Sequence, residues 1–366
     1  MRTDERFNLR AATGAAGPEE EAPEQGEEEE QLQERRATLD SVAAHAGVGR
    51  GTVSRVINGS ARVSQASREA VLRAVRELGY VPNSAARALV RQRNDTVALV
   101  VAVDEERVFW EEPYFSAIVR GATAGLAARG LQLLLAIAQS QQDRNRLTDF
   151  LKARHVDGVL LSSLRGSDPL PGELERSGIP TVLVGRPVGY VPNWSVDVDN
   201  VDGARLAVRH LVERGRRSIA TITGPLDLQA GVDRRTGYRR VLQESSLHPI
   251  EEQGDFTRAS GVAAMHKLLV NHPELDAVFA ASDSMATGAL QVLRQSGRRI
   301  PDDVAVVGFD DSPVAADADP PLTTVRQPFE AMGQELARLL MARLDNETAA
   351  GEKSTLRSSL VVRQSS

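Results

Sequence analysis

Residues 38–90 read TLDSVAAHAGVGRGTVSRVINGSARVSQASREAVLRAVRELGYVPNSAARALV, and this stretch decides how the 366-residue chain is organised. It begins with two short helical patterns on either side of Gly47. The hydroxyl of Thr38 can accept a free backbone N–H of the first helical turn, and Gly47 can take the left-handed conformation that ends a helix. We therefore predict a helix-turn-helix whose second helix begins near Arg50.

The outward side of this second helix carries Arg50, Gly51, Ser54 and Arg55. Arginine and hydroxyl groups on the exposed N-terminal side of a short helix suit a DNA major groove. Residues 38–93 also contain nine arginines and three acids, although the whole chain has a net charge of −6. A basic module on an acidic chain predicts a polyanionic partner for that module, and a helical bundle with a solvated basic face is the alternative.

A third helix is predicted from about Gln65 to Leu78, and Gly79 closes it, which completes a three-helix headpiece at residues 38–82. Beyond it, a capping asparagine or serine begins a helical segment of about two turns, which is marginal in water on its own. We predict a hinge helix and linker at residues 83–95, formed only when other groups hold it.

Residues 1–37 differ in composition from the rest of the chain. They contain eleven acids and five arginines and almost no large apolar residues. Such a segment buries too little apolar surface to offset its conformational entropy, so we predict a disordered acidic extension.

From Thr96 to the end, apolar runs of strand length alternate with helical stretches. Continuous apolar strands that alternate with helices indicate parallel sheets covered on both faces. The number of runs fits an α/β core of two doubly wound lobes at residues 96–366, with a ligand between the lobes at the carboxyl ends of the strands. The strands are predicted at residues 97–103, 131–138, 156–161, 181–184, 218–223, 277–280 and 304–309.

Composition and motifs argue against several classes of protein. The chain has no cysteine, and its six histidines lack metal-like spacing. It contains no phosphate loop, zinc-protease motif, nucleophile elbow or dinucleotide fingerprint, so we expect no cofactor, no metal and no catalysis. No apolar run approaches membrane-spanning length and no export segment is evident, so we expect no membrane partner and a cytoplasmic location.

The sequence resembles the lactose-repressor (LacI/GalR) family of bacterial transcription regulators. The resemblance rests on TLDSVAAHAGVGRGTVSRVING, VSQASREAVLRAVRELGYVPNSAARAL, GFDDSP and PPLTTVRQP, and it extends from Thr38 to about Arg363. It implies a helix-turn-helix headpiece, a hinge helix and a periplasmic-binding-protein-like core that forms a homodimer. The predicted function is a transcription regulator that binds operator DNA under the control of a small polar effector such as a sugar. Its predicted effect on transcription is repression.

Two alternatives to this function remain open from the residues. The two-lobed core alone would also fit an extracytoplasmic sugar-binding protein of a transport system, although the basic headpiece argues against it. A DNA-binding protein that ignores small molecules is the other alternative.

The resemblance implies particular DNA contacts. Arg50 matches a position that sets operator preference, and an arginine there can bond the N7 and O6 of guanine. Leu89 matches the hinge leucine that wedges between base pairs in the minor groove. Gly49 stands where the family commonly has a capping serine. The predicted DNA-contacting residues are Thr38, Arg50, Gly51, Thr52, Ser54, Arg55, Asn58, Arg87 and Leu89.

The resemblance also implies an effector site between the lobes. Arg234 matches an arginine that contacts the effector, and Asp310 matches an acid that accepts hydrogen bonds from ligand hydroxyls. An opposed arginine and carboxylate orient a polyol through charge-assisted bonds. Packing in the cleft is the alternative for Phe256, and capping of the next helix is the alternative for Asp283. The predicted effector-binding residues are Tyr114, Phe115, Arg186, Arg234, Phe256, Asp283 and Asp310.

Overall fold

The computed structural model of the chain describes residues 37–81, 93–102, 113–138, 140–162, 168–346 and 351–366. The chain divides into two compact units between residues 90 and 91. The predicted acidic extension, except for Ala37, lies outside the described residues. So do most of the predicted hinge and the DNA contacts assigned to Arg87 and Leu89.

The first unit contains three helices around a small apolar core. They are α1 (Leu39–Ala46), α2 (Arg50–Ile57) and α3 (Gln65–Glu77). Thr38 begins α1 through a reciprocal capping box, in which its hydroxyl accepts the backbone N–H of Ser41 at 3.1 Å. Gly47 ends α1 with φ 65°, as predicted. The buried core side chains come from all three helices: Val42, Ala43, Val53, Val56, Val71 and Ala74.

The second unit contains two six-stranded sheets covered by helices. Its described elements are β1 (Thr96–Ala102), α4 (Pro113–Ala127), β2 (Gln132–Ala138), α5 (Gln141–Lys152), β3 (Gly158–Ser162), α6 (Leu170–Arg176), β4 (Thr181–Val184), β5 (Ser195–Val198), α7 (Asn200–Glu213), β6 (Ile219–Thr223), α8 (Gln229–Glu244), β7 (Ile250–Gln253), α9 (Arg258–Asn271), β8 (Ala277–Ala280), α10 (Asp283–Gln295), β9 (Ala305–Asp310), α11 (Pro313–Ala316), β10 (Thr323–Arg326), α12 (Phe329–Leu344), β11 (Lys353–Leu356) and β12 (Ser359–Val361).

The two sheets repeat one strand order. Lobe 1 has the order β11-β5-β4-β3-β1-β2, and lobe 2 has the order β12-β10-β9-β8-β6-β7. Neighbouring strands pair in parallel, except that β12 runs antiparallel to β10. The central strands β3, β6 and β8 are buried along their whole length, which explains their continuous apolar sequences. The predicted fold of two doubly wound parallel lobes is confirmed.

The chain passes between the lobes three times, and the sequence pattern did not show this. It leaves lobe 1 after β5, returns after β10, and leaves again after β11. Helix α12 therefore packs in the core of lobe 1, although it follows a strand of lobe 2. It lies very close to α4: a Cβ added to Gly121 would meet the carbonyl oxygen of Glu330 at 2.0 Å, and one added to Gly333 would meet that of Ile118 at 2.2 Å. Only glycine fits at these two positions.

Candidate functional site

Helix α2 of the first unit presents Arg50 to solvent. The Arg50 side chain is 71% exposed, and its guanidinium lies 3.5 Å from the carboxylate of Asp40, which is 68% exposed. An ion pair between two exposed groups contributes only about 0–1 kcal/mol. Asp40 therefore orients the arginine weakly and leaves it able to bind a stronger partner.

The other described DNA-contact candidates lie on α2 or at its ends, except Thr38, which is at the start of α1. Gly49 begins α2 with no side-chain hydrogen bond, so the helix lacks the hydroxyl that a serine would supply there. The Thr38 hydroxyl caps α1, and Asn58 donates to the Ser54 hydroxyl at 3.3 Å. Gly51 and Arg55 are exposed, whereas Thr52 and Ser54 are half-buried.

Arg234, on the first part of α8, is the centre of the effector-site candidates. Its side chain is buried, its Nε donates to the Asn200 Oδ1 at 2.9 Å, and its Nη1 donates to the Ala281 carbonyl at 2.6 Å. Its Nη1 also lies 3.4 Å from the Asp310 Oδ1, and its guanidinium stacks 3.7 Å from the centre of the Phe309 ring. These contacts fix the direction of the cation at the carboxyl ends of the lobe 2 strands.

Asp310 ends β9 and is held from three directions. It accepts hydrogen bonds from the Gln327 side chain at 2.6 Å, from Arg234, and from the backbone N–H of Asp283 at the start of α10. Its φ of 119° is one that L residues rarely adopt, which indicates that the surrounding contacts impose the conformation. Burial raises the pKa of Asp310 to about 6, against the opposing charge of Arg234. The side chain is therefore an ionised acceptor above that pH.

Asp311, the next residue, forms ion pairs with two arginines. Its carboxylate accepts from the Arg326 Nε and from the Arg363 Nη2, each at 2.6 Å. Burial alone would raise the pKa of Asp311, but the two arginines outweigh it and lower the pKa. Arg326 directly precedes Gln327, so this ion-pair cluster also places the amide that bonds Asp310.

The alternative that Asp283 caps α10 is wrong, because Ser282 is the N-cap, whereas the contact of Asp283 with the effector stays a prediction. The Asp283 side chain is completely buried, and its carboxylate accepts from the backbone and hydroxyl of Ser312 and from the hydroxyl of Thr324. The N-cap of α10 is Ser282, whose hydroxyl accepts the Met285 N–H at 3.2 Å. Asp283 is next to Asp310 and contacts it through its backbone N–H.

The three aromatic effector-site candidates have different surroundings. Phe115 is 7% exposed and packs in the core of lobe 1, and its contact with the effector stays a prediction. The Tyr114 side chain lies outside the described part of the chain. Phe256 is half-buried with φ 74°, and its ring centre lies 5.6 Å from the Arg234 guanidinium carbon. Its stacking role stays a prediction.

Arg186 follows β4 at the carboxyl edge of lobe 1. Its Nε donates to Asp197 of β5 at 2.8 Å, and its Nη2 donates to Asp233 of α8 at 2.5 Å. Partial burial disfavours the charge of Arg186, but these two carboxylates outweigh it and raise its pKa. Burial raises the pKa of Asp197, which lies deeper than the arginine. Sequence reasoning did not single out four residues of this site: Asn200 at the start of α7, Gln327 after β10, Asp197 inside β5 and Asp233 inside α8.

Two sequence profiles match the chain. Residues 38–83 match bacterial regulatory proteins of the lacI family, and residues 208–366 match the periplasmic binding protein-like domain. The HTH-type transcriptional regulator CelR of Thermobifida fusca is 54% identical over 337 residues, which cover 90% of this chain and 98% of that protein. The chain belongs to the lacI family.

Solved structures of this family agree with the fold. A CelR–cellobiose complex matches with a TM-score of 0.72 and 51% identity, over 90% of this chain and 100% of that one. The lac repressor dimer bound to operator and the anti-inducer ONPF matches with a TM-score of 0.80 and 28% identity, over 90% of this chain and 99% of the repressor chain. As a lacI-family member, the protein is a sequence-specific DNA-binding transcription regulator, which overturns the alternative of a transport-system binding protein.

No helix among the described residues is both long and apolar enough to cross a bilayer. No cluster of three His, Cys, Asp or Glu side chains within those residues is placed to hold a metal ion.

The buried Asp283 leads to a prediction about stability and pH. Burial, and then the charge of Asp310, raises the pKa of Asp283 to about 8, far above the roughly 3.9 of an unfolded aspartate. The stability that its protonation contributes is present at low pH and is lost as the pH rises through the folded pKa. We therefore expect the free energy of unfolding to fall from about pH 4 to about pH 8, and Asp283→Asn to flatten this fall.

Urea unfolding at several pH values measures this dependence. Asp303→Asn is the matched control, because Arg299 lowers the pKa of Asp303 to about 2, which is below this window. An unchanged slope in Asp283→Asn would contradict the prediction.

Proposed function

We propose that the protein is a homodimeric repressor whose operator binding is controlled by cellobiose bound between the two lobes. The observation that carries this proposal is the Arg234–Asp310 pair, flanked by Asn200 and Gln327 at the carboxyl ends of the lobe 2 strands. Charged and amide groups held in fixed directions suit a ligand that presents many hydroxyls. The likeness to CelR, solved with cellobiose, selects this disaccharide among polyols.

The headpiece supports the DNA half of the proposal. Arg50 is exposed at the start of α2, with Gly51 beside it and Arg55 one turn later. Such a helix fits a major groove, and two copies related by a two-fold axis would read two half-sites. Because operator DNA is intracellular, we also propose a cytoplasmic location. We propose a non-enzymatic role because the related proteins are DNA-binding regulators.

Calorimetry and operator titration together test the proposal. Cellobiose is expected to bind, and to change the affinity for a cognate operator by about 5- to 150-fold, the usual size of coupling between two sites. Ribose and glucose at the same concentration serve as controls. In light scattering the protein should have twice the 39.5 kDa mass of the chain. Cellobiose binding without any effect on the operator would refute the proposed control, and absence of cellobiose binding would refute the proposed effector.

A further inference from the structure

Arg186 connects the two lobes directly. Its two carboxylate partners belong to different lobes, since Asp197 lies on β5 of lobe 1 and Asp233 on α8 of lobe 2. Asp233 is fixed in turn by the Gln229 side chain, which donates to its other oxygen at 2.7 Å. A backbone bridge between Pro187 and Leu228 joins the same two lobes beside this ion pair.

The same arginine reaches Arg234 by two routes. In the first, the Asn200 Nδ2 donates to Asp197 at 3.3 Å, and the Asn200 Oδ1 accepts from the Arg234 Nε at 2.9 Å. In the second, Asp233 is the residue directly before Arg234 on α8. Arg186 and Arg234 are therefore joined by one hydrogen-bond network.

Most side chains of this hydrogen-bond network are buried, which restricts their movement. Asp197, Asn200, Asp233 and Arg234 are all buried, and only Arg186, with 42% of its side chain exposed, opens to solvent. In a partly dry environment, charged hydrogen bonds strengthen one another, and removal of one member leaves the others unsatisfied. The position of Arg234 therefore depends on contacts that originate in the opposite lobe.

We propose that Arg186 is a positioning residue that holds the lobes together and orients Arg234 for the effector. The Nε and Nη2 of Arg186 donate to Asp197 and Asp233, and its effect on Arg234 passes through these two carboxylates. This inference deepens the proposed function, because cellobiose is the probe, but its first test needs no ligand.

Inter-lobe distance in the ligand-free protein provides that first test. The chain has no cysteine, so Arg146→Cys on α5 and Val270→Cys on α9, both exposed, can carry the only two spin labels. With Arg186→Gln in this background, the distance distribution between the lobes is expected to broaden and shift. An unchanged distribution would overturn the inference, whatever the result with cellobiose.

A double-mutant cycle in cellobiose affinity provides the second test. Arg186→Gln and Asp233→Asn are each expected to weaken binding about tenfold, and the double variant is also expected to weaken it about tenfold, because the two residues act as one unit. An additive loss of about a hundredfold would overturn the positioning role, because Arg186 would then act independently of Asp233. Effects within about twofold would overturn it as well.

Glu251→Gln is the matched control for Asp233→Asn. Glu251 also bonds an arginine of α8, since Arg235 donates to it at 2.9 Å, but both residues lie in lobe 2. This variant should leave the inter-lobe distance and the cellobiose affinity unchanged. If it changes them as Asp233→Asn does, the effect belongs to α8 in general and the inference fails. If the parent protein does not bind cellobiose, the proposed effector fails and the distance test still decides the role of Arg186.

Discussion

Asp310→Asn is expected to weaken cellobiose binding by about 100-fold at pH 7.5, while operator binding in the absence of sugar stays within about threefold. The side chain keeps its shape but loses the charge that faces the buried Arg234 at 3.4 Å. The Gln327 amide, now opposite an uncharged group, also loses part of its bond. A ligand hydroxyl that donated to a carboxylate would donate to a neutral amide, which is a weaker acceptor.

Calorimetry with cellobiose checks this result, and electrophoretic titration of operator checks that the headpiece is intact. Asp317→Asn is a suitable control, since that acid is exposed at the end of α11 in the same lobe. Because the pKa of Asp310 is raised to about 6, wild-type affinity is expected to fall as the pH is lowered through that value. The Asp310→Asn protein should lack this dependence. Normal sugar affinity in the variant would show that Asp310 is not an effector ligand.

Arg50→Ala is expected to weaken binding to a cognate operator by about 10- to 100-fold and binding to a scrambled operator by only a few-fold. A bidentate bond to guanine discriminates between bases, whereas a phosphate contact acts equally on every sequence. The weak ion pair with Asp40 does not hold Arg50 away from DNA, because both side chains are mostly exposed. Gly51, next to it, contributes no side chain of its own to recognition.

Fluorescence anisotropy with the two DNA duplexes at several salt concentrations separates these contributions. Arg73→Ala on α3 removes an equal charge from an exposed position outside the recognition helix. It should lower affinity for both duplexes alike. If Arg50→Ala also lowers both alike, Arg50 binds phosphate only and the base contact predicted from the sequence is wrong.

Sequence reasoning was most reliable where the decisive interactions are local. Thr38 and Gly47 bound the first helix through contacts within a few residues, and the structure confirms both. Seven of the twelve described strands were predicted, because burial on both faces gives strands such as β3 and β6 a continuous apolar run. Helix α12 was not predicted, although Met332, Leu336 and Leu340 have helical spacing.

The sequence by itself determined the three-helix headpiece, the two-lobed α/β core, the family and the pair Arg234–Asp310. The headpiece and the core follow from capping and periodicity, which are properties of neighbouring residues, whereas the family and the pair follow from the resemblance of short motifs to the LacI/GalR family. Only the tertiary structure decided that α12 belongs to lobe 1, that Phe115 and Asp283 are buried, and that Arg186 joins the lobes. The physical reason is that burial and hydrogen-bond partners are set by groups distant along the chain. Asp233 is 47 residues from Arg186, and no local pattern relates the two.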